Sequence, residues 1–376
     1  MKWFLLLITF FTYNTSFSKT GKLEEEVLSL MNEYGAIGMS VAVVKDGDVV
    51  FTHSYGYKDL ENFIPLHDEH LFRIASVSKT FVATAIMQLV EKGKLSLDDD
   101  VNNFLDFEVR NPYFLQKPIT IKMLLSHRSS ITDGQKWDTF DRINSLRNSD
   151  YNKCYGDFMP GSKYVYCNMN YNLLGAVIEK VSRKRFDQYV DRYIVKPLHL
   201  NASFNGLSLS SDSFVKSYRY NKGKDMFSFA GDVFQPKSSE LIDYRLGYST
   251  TVFSPPAGMI ISAGELAEYM IMHMNGGKYK RKRLFSEESA KILHEIPEPK
   301  NHYALSISHY KTIIDGEELL GQTGGHLGFH TAMIFHPEKK YGFVVLCNGC
   351  KSDGADGHEL NFGIIRLLYY NLVNQN

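Results

Sequence analysis

The sequence predicts an α/β (α+β) protein: an antiparallel β-sheet formed from both chain ends, flanked by helices, with an inserted, mainly helical subdomain. Three observations carry this. Met39 to Val44 and Val49 to Thr52 are β-branched runs around Asp46-Gly47-Asp48, which is a hairpin signal. Near the carboxy terminus, Ala304 to Ile314, Phe329 to Phe335 and Gly342 to Leu346 read as strands. The stretch between is mainly of helical period, joined by long polar loops. The predicted division is 1–18 a signal peptide, 19–80 with 255–376 the sheet domain, and 81–254 the helical subdomain, with the active site at their interface.

The elements follow in order. Met1-Lys2, the apolar run Trp3 to Phe11 and the small residues Ser16 and Ser18 ahead of Lys19 describe a secretory signal peptide cut after Ser18. The run is too short to span a membrane as a mature helix, so the expected product is secreted or periplasmic, with no membrane in mature form. Lys22 to Tyr34 is an amphipathic helix with Leu23, Val27, Leu30 and Met31 on one side. A long helix is expected from Ser76 to Glu91, ended by Gly93, and another opens at Ile119 to Leu125 with Thr120 as cap. Asn170 to Ser182 and Arg185 to Val195 are the clearest helices of the middle, while Leu207 to Asp243 has no period and reads as a long surface segment. Ser262-Ala-Gly-Glu265 is a capping box ahead of the helix Leu266 to Met274, and Asn361 to Val373 closes the chain as a helix.

Composition bounds the function. The 376 residues balance 42 Lys+Arg with 42 Asp+Glu and are 44% hydrophobic, which suits a globular protein with a sizeable core. A net charge of zero gives no reason to expect nucleic acid or acidic lipid as a partner. Export would place Cys154, Cys167, Cys347 and Cys350 in an oxidising compartment, where three pairings are open. The Cys347-Asn-Gly-Cys350 spacing follows an apolar run and does not open a helix, so it is read as structural or incidental.

Three short elements can carry chemistry. The first is Ser76-Val-Ser-Lys79. A serine hydroxyl needs a base to become a nucleophile, and an amine three positions along a helix lies on the same face, roughly 5–6 Å away at Cβ. Burial or neighbouring cations would suppress that amine's charge. The structural alternative is that Ser76 or Ser78 caps the helix and Lys79 is solvated. The second is Tyr166-Cys-Asn168: a phenol can relay protons, and an amide can hold Lys79 or bind a carbonyl. The bland account is one tyrosine among 23 beside an ordinary helix cap. The third is Gln322-Thr323-Gly324-Gly325, whose small residues let a substrate backbone approach a strand, or simply form a turn.

Taken in order, these elements resemble the serine β-lactamase and penicillin-binding protein superfamily, closest to the class C β-lactamase, D,D-peptidase and esterase branch. The likeness covers nearly the whole mature chain: Phe72-Arg-Ile-Ala-Ser76-Val-Ser-Lys79, Thr120 to His127, Pro160-Gly161 with Tyr166-Cys-Asn168-Met-Asn-Tyr-Asn-Leu-Leu-Gly175, Pro256-Ala-Gly258 with Ser262, and Gly321-Gln-Thr-Gly-Gly325 with Gly328-Phe329. The resemblance implies Ser76 as the acylated nucleophile and Lys79 with Tyr166 in proton transfer. Asn168 would orient the lysine and the acyl chain, and Gln322, Thr323, Gly324 and Gly325 would line the cleft. It implies an oxyanion site from the N–H of Ser76 and of Gly325 or Gly328, with no metal and no cofactor.

Three departures stand out. The first position of the third element is usually Lys or His, and here the neutral Gln322 predicts weak binding of free-carboxylate substrates such as penicillins and cell-wall peptides. The segment Ser126-His127-Arg128-Ser129-Ser130 lacks the glycine that usually ends it, so its turn is expected to differ. Cys167 replaces the usual serine, as a small buried side chain or as a partner of Cys154. Outside the motifs, His326 and His330 flank the cleft strand as lesser candidates for substrate contact. The expected function is a serine hydrolase acting on a small-molecule or peptide ester or amide. The alternatives are a β-lactamase or D,D-carboxypeptidase/D-aminopeptidase, and a catalytically weak binding protein that keeps the fold.

Overall fold

The computed structural model describes residues 21–231, 236–297, 301–351 and 356–374; the signal-peptide segment lies outside them. Helix α1 (residues 21–33) leads into β1 (Gly38–Lys45) and β2 (Asp48–Asp59). The two strands are joined by Asp46 and Gly47, both at positive φ, with Lys45 paired to Asp48. This is the two-residue turn that the Asp-Gly signal asks for. β3 (Ile64–Pro65) continues the edge. The other half of the sheet comes from the far end of the chain: β10 (Ser308–Tyr310), β11 (Leu319–His326), β12 (Phe329–His336) and β13 (Tyr341–Cys347).

These strands make one seven-stranded antiparallel sheet in the order β10-β11-β12-β13-β1-β2-β3. The two chain ends meet at its centre, where β1 pairs with β13 from Met39↔Cys347 to Val44↔Gly342. Both faces are covered. Met39, Val41 and Val43 pack with Leu23, Val27 and Met31 of α1 and with Leu360, Ile364 and Leu368 of α10 (Asp356–Leu368). Ala42 and Val44 point the other way, into a core that contains Leu266, Ala267 and Met270 of α8 (Ala263–Met274). That is why β1 reads as a continuous apolar run and not as an alternating one.

The middle of the chain supplies α2 (Lys79–Glu91), α3 (Ile121–Leu125), α4 (Asn168–Ser182), α5 (Phe186–Val190), α6 (Lys196–Leu198) and α7 (Ser238–Ile242). Thr120 caps α3 as expected, its hydroxyl accepting the Met123 N–H. Two-residue strands β4 (Phe72–Arg73) and β7 (Ile260–Ile261) pair with each other, and β8 (Lys278–Tyr279) with β9 (Lys282–Arg283), ahead of α9 (Glu287–His294).

Several expectations are corrected. Ala75–Ser78 is a 3-10 turn and the α-helix starts at Lys79, because Ser78 Oγ accepts the Met259 N–H and is not free to cap. The segment Leu207 to Asp243 is not featureless. It holds a hairpin of β5 (Ser217–Asn221) and β6 (Met226–Gly231), followed by α7. The strand at Ala304 to Ile314 shrinks to Ser308–Tyr310, since Ser306 takes a positive φ and breaks it. Ser262 caps α8 as expected, its hydroxyl accepting the Glu265 N–H, and the Glu265 carboxylate accepts from the Ser262 backbone N–H and hydroxyl and also from the Asn201 N–H. All four cysteines are free thiols: Cys154 donates to Arg142 O and Cys167 to Asp133, so the two are not partners.

One buried carboxylate ties the helical middle to the loop before α8. Glu179, near the end of α4, accepts the N–H groups of Phe186 and Gly247 and the hydroxyls of Tyr244 and Thr250. Glu179→Ala leaves four buried donors without an acceptor, and the expected loss is ~3 kcal/mol of unfolding free energy by urea titration. A loss below ~1 kcal/mol would mean that the loop is held by its apolar contacts alone.

Candidate active site

The Ser76 hydroxyl sits where the first turn of the long helix meets the sheet. Ala75 immediately before it has φ of 46°, a left-handed conformation that costs an L-residue roughly 1–2 kcal/mol. The turn is pinned from below: Thr331 Oγ1 of β12 donates to Ile74 O at 2.8 Å. Gly324 of β11 lies so close that a Cβ there would stand 2.7 Å from Ile74 O and 2.8 Å from Ser76 N. Only a glycine permits that approach, so Gly324 does not face the cleft but lets the strand pass beneath the nucleophile.

Two groups converge on the serine oxygen. Lys79 Nζ is 3.0 Å from Ser76 Oγ, and the Tyr166 hydroxyl donates to the same oxygen at 2.6 Å. Lys79 is wholly buried, with Asn168 Oδ1 at 2.9 Å and Pro256 O at 3.0 Å as its other contacts. Burial pushes its pKa down to about 7, against the opposing pull of Asp133 and Cys167. Burial acts the other way on the Tyr166 phenol, raising its pKa well above the usual tyrosine value, with the Ser76 hydrogen bond opposing. Near neutral pH the amine is therefore neutral in a substantial share of molecules, while the phenol stays protonated.

Three residues that the motifs did not single out hold this arrangement. Asp133 accepts the Asn168 side-chain amide at 2.9 Å and the backbone N–H groups of Asn168 and Met169 at the start of α4. This fixes the amide so that its oxygen faces Lys79, and a carboxylate suits a helix N-terminus. The Arg73 guanidinium donates to Ala257 O at 2.7 Å and to Ser254 Oγ at 3.2 Å, fastening the turn that presents Pro256 O. His127 is buried against the Tyr166 ring, centroids 4.3 Å apart, and its Nδ1 accepts the Cys167 N–H. Burial, then the Lys79 charge, holds its pKa far below the ordinary value, so it is a neutral wall beside the phenol. Arg73 and His127 stand inside the quoted motif stretches, but no spacing rule gave them a role. Asp133 carries no local signal beyond a turn at Asp133-Gly134.

The cleft above Ser76 encloses about 770 Å³ and is lined by Tyr166, Gln322, Thr323, Gly325 and His326 among others. Ser76, Lys79, Tyr166 and Asn168 are thus brought together, with Gln322, Thr323 and Gly325 along one wall. Gln322 is buried, its amide donating to Tyr303 Oη at 3.2 Å, and Tyr310 Oη lies 3.5 Å from Thr323 Oγ1. A Cβ at Gly325 would meet nothing within 4 Å. His326 and His330 both line the cleft, and burial, with Arg73 and Arg219 nearby, pushes the His326 pKa down to about 4. The turn expected to differ at Ser126 to Ser130 keeps a left-handed residue despite the missing glycine: Ser130 adopts φ of 66°, and its hydroxyl accepts from Asn111 Nδ2.

Comparison with known proteins places the chain in a family. Protein flp of Staphylococcus aureus strain N315 is 30% identical over 325 residues, covering 83% of this chain and 59% of that protein. Penicillin-binding protein 4* of Bacillus subtilis strain 168 is 32% identical over 200 residues, which is 50% of this chain and 42% of that one. The chain thus spans less than two thirds of the length of these curated relatives. Among solved structures, the octameric penicillin-binding protein homologue from Pyrococcus abyssi superposes with a TM-score of 0.75 at 28% identity, over 93% of this chain and 77% of that one. EstCE1, described as a hydrolase with promiscuous acyltransferase activity, shares the fold with a TM-score of 0.71 at 20% identity, over 94% and 98% of the two chains. The Beta-lactamase family profile matches residues 23–362, nearly all of the sequence, and the chain belongs to that family.

Proposed function

We propose that the protein is a serine hydrolase that cleaves an ester or amide, of a small molecule or peptide, through a covalent acyl-enzyme on Ser76. The observation that carries this is the convergence of a buried amine at 3.0 Å and a phenol at 2.6 Å on one serine oxygen. A neutral amine has two N–H bonds and one lone pair. Asn168 Oδ1 and Pro256 O can only accept, so they take the two N–H bonds and the lone pair is left facing the Ser76 hydroxyl. Lys79 is then the base for acylation: it removes the hydroxyl proton as Ser76 Oγ bonds to the substrate carbonyl carbon. The oxyanion forms toward the Ser76 N–H and the open edge of β11 at Gly325. As the tetrahedral adduct collapses, the bond to the leaving group breaks, Tyr166 donates its proton to that group, and the proton on Lys79 passes back to the phenol. Water repeats the sequence on the acyl-enzyme and frees the acid. The reading includes export by way of residues 1–18, where the chain begins with a basic tip and an apolar run.

Within this class the neutral, hydrogen-bonded Gln322 favours an esterase or peptidase-like hydrolase over a dedicated β-lactamase. A penicillin carries its carboxylate on the fragment that becomes the leaving amine, and a D-Ala-D-Ala peptide carries its own on the departing residue. The position where the family places a cation to meet that charge has none here.

Three measurements test the proposal. A fluorophosphonate or fluorescent penicillin is expected to add to Ser76, located by mass spectrometry, and to leave Ser76→Ala unlabelled; equal labelling of the two proteins refutes the nucleophile. The acylation rate with a p-nitrophenyl ester is expected to rise with pH through about 7, as the Lys79 amine loses its proton, and to level off above it. A rate flat from pH 6 to 9 removes Lys79 as the titrating base. Turnover of a short p-nitrophenyl ester is expected to exceed that of nitrocefin, with Gln322→Lys raising nitrocefin acylation roughly tenfold; the reverse order would show that Gln322 does not set the preference.

A further inference from the structure

The cleft has a second charged feature that the proposed chemistry leaves unused. Along β11, Gly324 marks the point beneath Ser76, and at about 3.3 Å per residue Gln322 and His326 lie roughly 7 Å to either side of it. The two flanks differ. On the Gln322 side the wall is aromatic and uncharged: Gln322 donates to Tyr303, and the His127 ring lies 5.0 Å from the Tyr303 ring and 4.3 Å from that of Tyr166. On the His326 side the wall is finished by the hairpin β5–β6. It is docked tightly onto the turn after β11, where Gly328 has φ of 88° and a Cβ would stand 2.1 Å from Tyr218 O. This hairpin brings Arg219 to the cleft.

Among the described lining residues Arg219 is the only one with a permanent charge, and none is an aspartate or glutamate. Arg219 is an exposed residue at the rim of the cleft, open to a ligand arriving from solvent. Its field already reaches the strand, adding to burial in keeping the His326 imidazole neutral.

Tyr166 decides which part of a substrate lies on which side. It is the group that hands a proton to the leaving group, and it stands on the Gln322 flank. The departing fragment therefore occupies that flank, and the acyl chain runs the other way, past Gly325 and His326 toward Arg219. We propose that Arg219 is a specificity residue that selects substrates whose acyl portion carries an anionic group, a carboxylate or phosphate several bonds from the scissile carbonyl. The inference rests on the acyl-enzyme reading above and adds to it the substrate class. Cationic recognition is displaced from the leaving-group side, where Gln322 is neutral, to the acyl side.

The test uses the p-nitrophenyl monoester of adipic acid against p-nitrophenyl hexanoate, each corrected for spontaneous hydrolysis. Wild type is expected to show kcat/KM roughly three- to fivefold higher for the acidic acyl group, a margin that shrinks in high salt. Arg219→Ala should level the two esters, Arg219→Lys should keep most of the preference, and Arg219→Glu should invert it. A preference that survives Arg219→Ala, or no preference in wild type, overturns the proposal while hexanoate turnover still supports the nucleophile. Failure of hexanoate to acylate Ser76, read by mass spectrometry, overturns the nucleophile reading and this inference with it. Placing the acid in the alcohol portion, as in 4-acetoxybenzoate, should give no Arg219-dependent gain; a gain there would reverse the assignment of the flanks.

Discussion

An amine taken wholly out of water is the constraint around which the site is arranged. Burying a lone ammonium costs several kcal/mol, and a protein meets that cost by neutralising the group or by surrounding it with acceptors. Lys79 shows both. Its pKa falls to about 7, and its contacts come from three distant parts of the chain: Ser76 one turn back, Asn168 at the head of α4, and Pro256 in the turn before β7. Ser76 is three residues from Lys79, whereas Asn168 and Pro256 lie 89 and 177 residues away. The lysine can be buried only when the helical middle and the sheet have already closed on each other, so the buried amine is made by the completed fold.

The supports around that amine are correspondingly rigid. Arg73 grips both Ala257 O and Ser254 Oγ, and Ile74 N donates to Met259 O, so β4, which leads into the Ser76 turn, is fastened to the turn carrying Pro256 O. Asp133 does the same on the other side by holding the first N–H groups of α4 together with the Asn168 amide. Left-handed Ala75, seated on Gly324 and Thr331, stores a small amount of backbone strain at the one place where the serine must leave the helical path to face the cleft. Strain of this kind persists only where neighbours over-determine the geometry, and here the neighbours are the paired strands β11 and β12 on the cleft side of the sheet.

What was legible in the sequence follows from the range of the interactions. The Asp46-Gly47 turn, the Thr120 cap and the apolar stripe of α1 are local, and each appears where its signal stands. Ser76, Lys79, Tyr166, Asn168 and the Gln322 strand were visible because three short motifs in a fixed order resemble a family, not because any spacing specifies their convergence. The positioning residues were hidden for the same reason. Asp133 acts on atoms 35 residues away and Arg73 on a carbonyl 184 residues away. The β5–β6 hairpin was missed because its strands are short and half exposed, with the alternating aromatics Tyr218, Tyr220, Phe227 and Phe229 diluted by Asn, Lys and Gly in the turn.

The distribution of charge ties these parts together. Asp133 lies close enough to raise the Lys79 pKa, yet burial outweighs it, and the carboxylate is itself held in place by two backbone amides, an asparagine amide and a thiol. His127 and His326 are kept uncharged by burial and by the cations near them. The described walls of the cleft hold no carboxylate, and the His326 imidazole at the strand tip is neutral, so an oxyanion formed at Ser76 as proposed would face no anionic side chain in that lining. On the proposed mechanism, the arrangement that would let Lys79 act as a base when neutral would also make its protonated form, once the serine proton had moved, the nearest positive charge to that oxyanion. The electrostatic help would then arise in the transition state and be absent before it, which is the condition for raising a rate and not merely for tightening binding.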